Sequence, residues 1–143
     1  MMYKNAAKSA ETYRTQQVMT ATPAELTLML YNGAIKFTSE AIKALQEKNY
    51  EQKNTYCIKT QNIISEFQVT LKMDYDFSST WMSLYDYIKK CLVEGNIRND
   101  VTKLEEAKNL ITEFRNTWHE VMKIDKANKA EAAIQSGTAG IAK

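Results

Sequence analysis

The sequence predicts an all-α fold, an antiparallel four-helix bundle with a short N-terminal segment and a marginally helical, partly disordered C-terminal tail. Three observations carry this. Apolar residues recur at three- and four-residue steps through four long stretches. Helix breakers are sparse, with one proline and four glycines in 143 residues. The stretches are joined by short polar connections, which force neighbouring helices to run in opposite directions. No convincing alternation of strand type interrupts the pattern.

The first long helix has a sharp start. In Thr22-Pro23-Ala24-Glu25, the threonine can accept from the backbone N–H of Glu25, and the glutamate can reach back to close a capping box. Pro23 falls at the first helical position, where its missing donor costs nothing. Leu26, Met29, Leu30, Gly33, Phe37 and Ala41 then mark one stripe, which Tyr31, Ile35 and Ile42 widen, and the helix runs to Lys48-Asn49. Gly33 weakens a helix interior by about 1 kcal/mol relative to alanine. That cost is reasonable if a neighbour passes close to the backbone there, and a close approach is therefore expected.

Asn49 opens the second helix, which carries Cys57, Gln61, Ile64, Phe67 and Leu71 on one face and ends in KMDYDFSS. The third starts at Ser78 or Ser79 and places Trp81, Leu84, Tyr85, Ile88 and Leu92 at helical spacing, with Gly95 read as its C-terminal cap. Asn99 or Asp100 begins the fourth, whose seam is Leu104, Ala107, Ile111, Phe114, Trp118 and Val121. Residues 1–124 therefore read as one domain, with 1–21 as the N-terminal segment. The alanine-rich 125–143 reads as a weakly helical to disordered tail.

Composition excludes several functions. The formal charge of +2 comes from lysines scattered among glutamates, not the concentrated basic face of a nucleic-acid binder. No stretch reaches the ~18 apolar residues of a membrane span, so no membrane insertion is expected. The N-terminus lacks the apolar run of a signal peptide, which points to the cytoplasm and to reduced thiols at Cys57 and Cys91. With one histidine and two distant cysteines, neither a zinc site nor a di-metal carboxylate site can be assembled. No cofactor or catalytic residue is expected. A histidine phosphotransfer role for His119 fits poorly, because Met122 stands where such domains carry lysine and no glycine follows before Gly137.

What is left over is aromatic and thioether surface. Eight tyrosines are many for this length, and Tyr3, Tyr13, Tyr50, Tyr56, Tyr75 and Tyr87 fall off the seams. Tyrosine suits interfaces because it loses little rotamer entropy on contact. Met19, Met29, Met73, Met82 and Met122 could soften a groove for a variable apolar partner. These features indicate a binding module.

The run YRTQQVMTATPAELTLMLYNGAI resembles the opening of the FliS family of flagellar export chaperones. Thr22, Pro23, Glu25, Leu30, Tyr31 and Gly33 stand at motif positions. IKTQNIISEFQVTL, LYDYIKKCL and NIRNDVTKLEEAKNLITEFRNTWHEV continue the match in order. It departs at Asn32, where the family pattern has aspartate, in YDFSSTWM, and in the tail after Lys123.

The resemblance implies a cytosolic chaperone without enzymatic activity. It would hold the C-terminal segment of flagellin in a 1:1 complex, prevent premature polymerisation and deliver the subunit to the export gate. Ile58, Ile63, Leu71, Tyr85, Tyr87, Leu110 and Ile111 are the expected contacts, since apolar residues there exceed what one seam needs. The resemblance places Tyr3, Tyr13 and Val18 on an N-terminal segment lying across the bundle, to mask the groove or meet the export gate. The alternative is a bundle that binds another flagellar regulator, such as an anti-sigma factor.

Overall fold

A computed structural model describes the backbone of residues 2–71 and 78–141, and the side chains of 9–71 and 78–136. The connection at 72–77, with Met73 and Tyr75, and the side chain of Tyr3 lie outside the described residues. Among the described residues there are five helices and no strand: α1 (Met2–Thr20), α2 (Pro23–Gln46), α3 (Tyr50–Thr70), α4 (Ser78–Arg98) and α5 (Val101–Ile141). The all-α class agrees with the sequence, but the helix count is five and not four. The added helix is the N-terminal segment, where every described side chain from Ser9 to Thr20 is exposed. The segment that the resemblance places across the bundle thus stands here as an outward helix.

Local chemistry sets the helix ends. Thr22 has extended backbone angles and its Oγ1 accepts from Glu25 N–H at 3.1 Å, with Pro23 at the first helical position. Asn49 and Asp100 cap α3 and α5 in the same way, through Gln52 N–H at 3.2 Å and Thr102 N–H at 3.0 Å. α2 and α4 both close with a residue in the left-handed region, Lys48 at φ 61° and Asn99 at φ 53°. Their closing bonds span six residues, Asn49 N–H to Ala44 C=O at 2.8 Å and Asp100 N–H to Gly95 C=O at 3.0 Å. Gly95 is therefore not the cap; it is a buried residue of the last turn of α4.

α2 packs against α3 and α5, and α4 packs against the same two helices. On α2 the buried residues are Tyr31, Ala34, Thr38, Ala41, Ile42 and Ala44, so of the expected stripe only Ala41 is buried. Met29 and Leu30 are exposed, and Leu26, Gly33 and Phe37 are half-buried. Small residues win the inner face because they let helix axes approach. Thr38, Thr60, Cys57, Cys91 and Ala107 join them in the core, and Thr38 Oγ1 donates to Thr60 Oγ1 at 3.3 Å across the α2–α3 contact.

Lys53 is the least expected core member. It is buried on α3, and its Nζ donates to Asn96 C=O at 2.7 Å and to Asn99 Oδ1. The last carbonyls of a helix lack intrahelical donors, so this lysine closes the end of α4 from a neighbouring helix.

The tail also departs from expectation. α5 continues through Ile141 as one helix of 41 residues. At ~1.5 Å per residue it is about 60 Å long, against roughly 32–36 Å for α2 to α4. It outruns its partners, and its described side chains from Lys123 to Ser136 are exposed.

Gly33 and Gly95 behave oppositely. A Cβ on Gly33 would sit 3.9 Å from Ile63 Cδ1, an ordinary contact, so the close approach expected there is absent. A Cβ on Gly95 would lie 2.6 Å from Leu104 Cδ2 and 3.1 Å from Asp100 O. Gly33→Ala should raise unfolding stability by up to ~1 kcal/mol through helix propensity. Gly95→Ala should lower it, since overpacking costs about 1–3 kcal/mol. Urea melts read the order; Gly33→Ala falling below Gly95→Ala would contradict this packing.

The core thiols give a second prediction. Cys57 and Cys91 are both buried and free, and burial pushes the Cys57 thiol up from 9.0 to about 11. Folding disfavours the thiolate, so this contribution to stability is complete below the unfolded pKa and is lost as pH rises through about 11. Both thiols should resist a disulfide reagent at pH 8 and react at once in denaturant. Rapid labelling of the native protein would contradict the core.

Candidate binding pocket

The four packed helices meet in two different ways along their length. Toward the α2–α3 and α4–α5 turns Ala41, Ala44, Cys91 and Gly95 are buried beside Ile42, Leu92 and Leu104. Toward the other end each helix contributes an aromatic ring. Tyr31 stacks on Phe67 with centroids 4.3 Å apart, and Tyr85 stacks on Phe114 at 4.7 Å. Trp81 meets Phe114 edge-on at 5.1 Å. Tyr31 and Tyr85 join hydroxyl to hydroxyl at 2.7 Å in the middle of this layer.

Above the rings lies a pocket of about 830 Å³, within the usual size range of ligand sites. The first turns of α2 supply Pro23, Ala24, Thr27 and Tyr31. The last turns of α3 supply Phe67, Thr70 and Leu71, α4 supplies Trp81 and Tyr85, and α5 supplies Trp118 and Val121. The caps position these walls: the Thr22 box fixes where α2 begins, and α3 stops at Leu71, whose N–H still bonds Phe67 C=O at 2.9 Å.

Among the described residues, no charged side chain lines the pocket. Burial, and then the bond to Tyr85, holds the Tyr31 hydroxyl far above its ordinary range; burial also raises Tyr85. Both stay protonated, so the surface is neutral. Trp118 Nε1 donates to Ala24 C=O at 3.0 Å and ties α5 to the first turn of α2. Thr27 and Thr70 donate back to carbonyls within their own helices. Among the described residues no group of three or more His, Cys, Asp and Glu side chains could hold a metal. His119 is half-buried on α5.

Of the seven expected contact residues, the pocket brings together Leu71 and Tyr85, beside motif residues Pro23 and Tyr31. Tyr85 is only 2% exposed, so it forms the floor and is not a freestanding contact. Ile111 is not a surface residue: it is fully buried among the seam residues of α5. Leu110 and Ile63 are half-buried against the core. Tyr87 donates its hydroxyl to Glu106 across the α4–α5 contact, which lowers the pKa of the Glu106 carboxyl. Ile58 is 44% exposed on α3, outside the pocket. Tyr13 and Val18 are exposed on α1.

The pocket residues missing from that expectation are Phe67, Trp81, Trp118 and Val121. Phe67, Trp118 and Val121 read as seam positions, and Phe67 is indeed buried. The available signal was length: α2 begins at Pro23, so the α5 seam continues past the point where a partner helix can cover it.

Asn32 also finds its place. Its Oδ1 accepts from Arg115 Nε at 3.0 Å, so a neutral amide stands opposite the guanidinium where the family pattern has a carboxylate.

The family model described as Flagellar protein FliS matches residues 5–125. The chain is 39% identical over 130 residues to the flagellar secretion chaperone FliS of Bacillus subtilis (strain 168), covering 91% of this chain and 93% of that protein. It is 29% identical over 122 residues to the flagellar secretion chaperone FliS of Escherichia coli (strain K12), covering 80% of this chain and 90% of that protein. The matching FliS of Salmonella typhimurium is 29% identical over 110 residues, covering 73% and 79%. The four-part motif order, the matched span and these identities together make the chain a member of the FliS family.

Proposed function

We propose that the chain is a flagellar secretion chaperone of the cytoplasm, with α2 to α5 acting as an antiparallel four-helix bundle. It binds the C-terminal segment of flagellin 1:1, keeps it from polymerising and presents it to the export gate. It makes and breaks no covalent bond. The observation that carries this reading is the neutral apolar pocket, into which the family-motif residues Pro23 and Tyr31 project their surface.

The physical logic is competition. A segment that orders on binding must offset several kcal/mol of lost entropy, and apolar contact supplies the gain. Apolar area covered by the bundle is unavailable for subunit–subunit contact. The exposed stripe of Met29 and Leu30 on α2 and Val121 at the pocket rim extend the surface on which such a segment can lie. α1, joined to α2 through Ala21 and Thr22, carries Tyr13 and Val18 outward, where they can cover the pocket before the client arrives or meet the export gate.

The test is co-purification with flagellin, with and without its C-terminal segment. Binding should require the segment. Val121→Asp, at a rim position 45% exposed, should weaken capture at least tenfold, a change of about 1.4 kcal/mol, with circular dichroism unchanged. Ile97→Asp, at a position 75% exposed toward the far end of α4, should bind as the parent does. Capture of truncated flagellin, or loss with Ile97→Asp and not Val121→Asp, would overturn the proposal.

A further inference from the structure

The pocket floor holds a polar feature that its apolar walls do not require. Tyr31 and Tyr85, each 2% exposed, share a single hydroxyl–hydroxyl bond of 2.7 Å. A tyrosine hydroxyl carries one hydrogen and can both donate and accept. One of the two hydrogens closes the bond; the other meets no acceptor among the described residues. Among the described residues neither hydroxyl is hydrogen-bonded to the Thr27 or Thr70 side chain, whose own hydrogens go to Pro23 and Glu66 C=O. A buried donor without an acceptor is costly, and both of these side chains line the pocket.

We propose that the Tyr31–Tyr85 pair is a hydrogen-bonding subsite, which donates its spare hydrogen to a backbone carbonyl of an apolar client segment seated in the pocket. The inference rests on the reading of the pocket as the client site. It adds what the pocket selects: apolar surface with one neutral acceptor at its tip. A neutral carbonyl suits the subsite better than a carboxylate, because among the described residues no cation lines the pocket to offset a carboxylate's desolvation. The last turn of a helix is the right source, since its carbonyls have no intrahelical donors. The pair is also indifferent to which tyrosine donates, because either hydroxyl can pass its hydrogen inward and leave the other free.

Two probes of nearly the same shape isolate the acceptor: acetophenone, with a carbonyl, and α-methylstyrene, with a methylene in its place. Both are titrated by calorimetry into the full chain, into Tyr31→Phe, into Tyr85→Phe and into the double variant. The ratio of the two affinities should favour acetophenone about three- to tenfold more in the parent than in the double variant, the effect of one neutral hydrogen bond. Each single variant keeps one hydroxyl with its hydrogen and should keep the preference, which a role in packing alone would not produce. The carbonyl stretch of acetophenone bound to the parent should move to lower frequency, a readout that needs no variant. An unchanged ratio in the double variant, or an unshifted stretch, would overturn the subsite and show that water satisfies the pair. Loss of the subsite with flagellin capture intact refutes this inference alone; failure of the parent to capture flagellin refutes the reading beneath it.

Discussion

One layer of four aromatic rings, one from each packed helix, decides the shape of this molecule. Tyr31, Phe67, Tyr85 and Phe114 are all buried, and all stack within 4.3–6.4 Å of a neighbour. The rings gather at the end of the bundle that carries the pocket, and the Lys53 and Gly95 contacts lie toward the other. Because the layer also contains the Tyr31–Tyr85 hydrogen bond, the rings cannot slide freely past one another. The register of all four helices is tied to that contact.

The remaining devices protect this asymmetry. Lys53 and the left-handed residue Asn99 finish α4 at the end away from the pocket, where Gly95 lets Leu104 approach its backbone. At the pocket end Trp118 pins α5 to the first turn of α2, and the Arg115–Asn32 bond adds a second tie further down the same pair. Apart from Leu71, the described pocket walls are therefore helical. A neutral pocket built on helices spends little free energy on its own ordering, which leaves more to offset the ordering of a flexible partner.

Much of this was legible in the sequence, and the reasons differ by feature. Helix starts could be read because Thr22, Asn49 and Asp100 are local capping signals that need no tertiary context. The seam on α5 could be read because it follows one period without interruption. α2 misled because it carries two apolar stripes, and periodicity alone cannot say that the stripe of small residues faces inward. Lys53 was invisible, since a lysine is buried only when a specific set of carbonyls waits for it. Gly33 and Gly95 exchanged roles for a related reason: a close approach depends on the neighbour, and Leu104 is 9 residues further on, across a turn. The expected contacts scattered because apolar residues were counted, on and off the seams, without knowing where partner helices end. Tyr87 looked available and is tied to Glu106, whereas Trp118 and Val121 looked like core and border the pocket.

If the aromatic end of the bundle receives the partner, side chains bordering the pocket report its arrival. The two tryptophans of the chain, Trp81 and Trp118, both border that pocket, and no tryptophan lies elsewhere. Their indole N–H signals can be followed by NMR while the C-terminal segment of flagellin is titrated into the full chain. The account predicts that both indole signals shift and saturate together at one equivalent. Two stationary indole signals, with shifts confined to residues around Ile58, Tyr87 or Ile97, would contradict it.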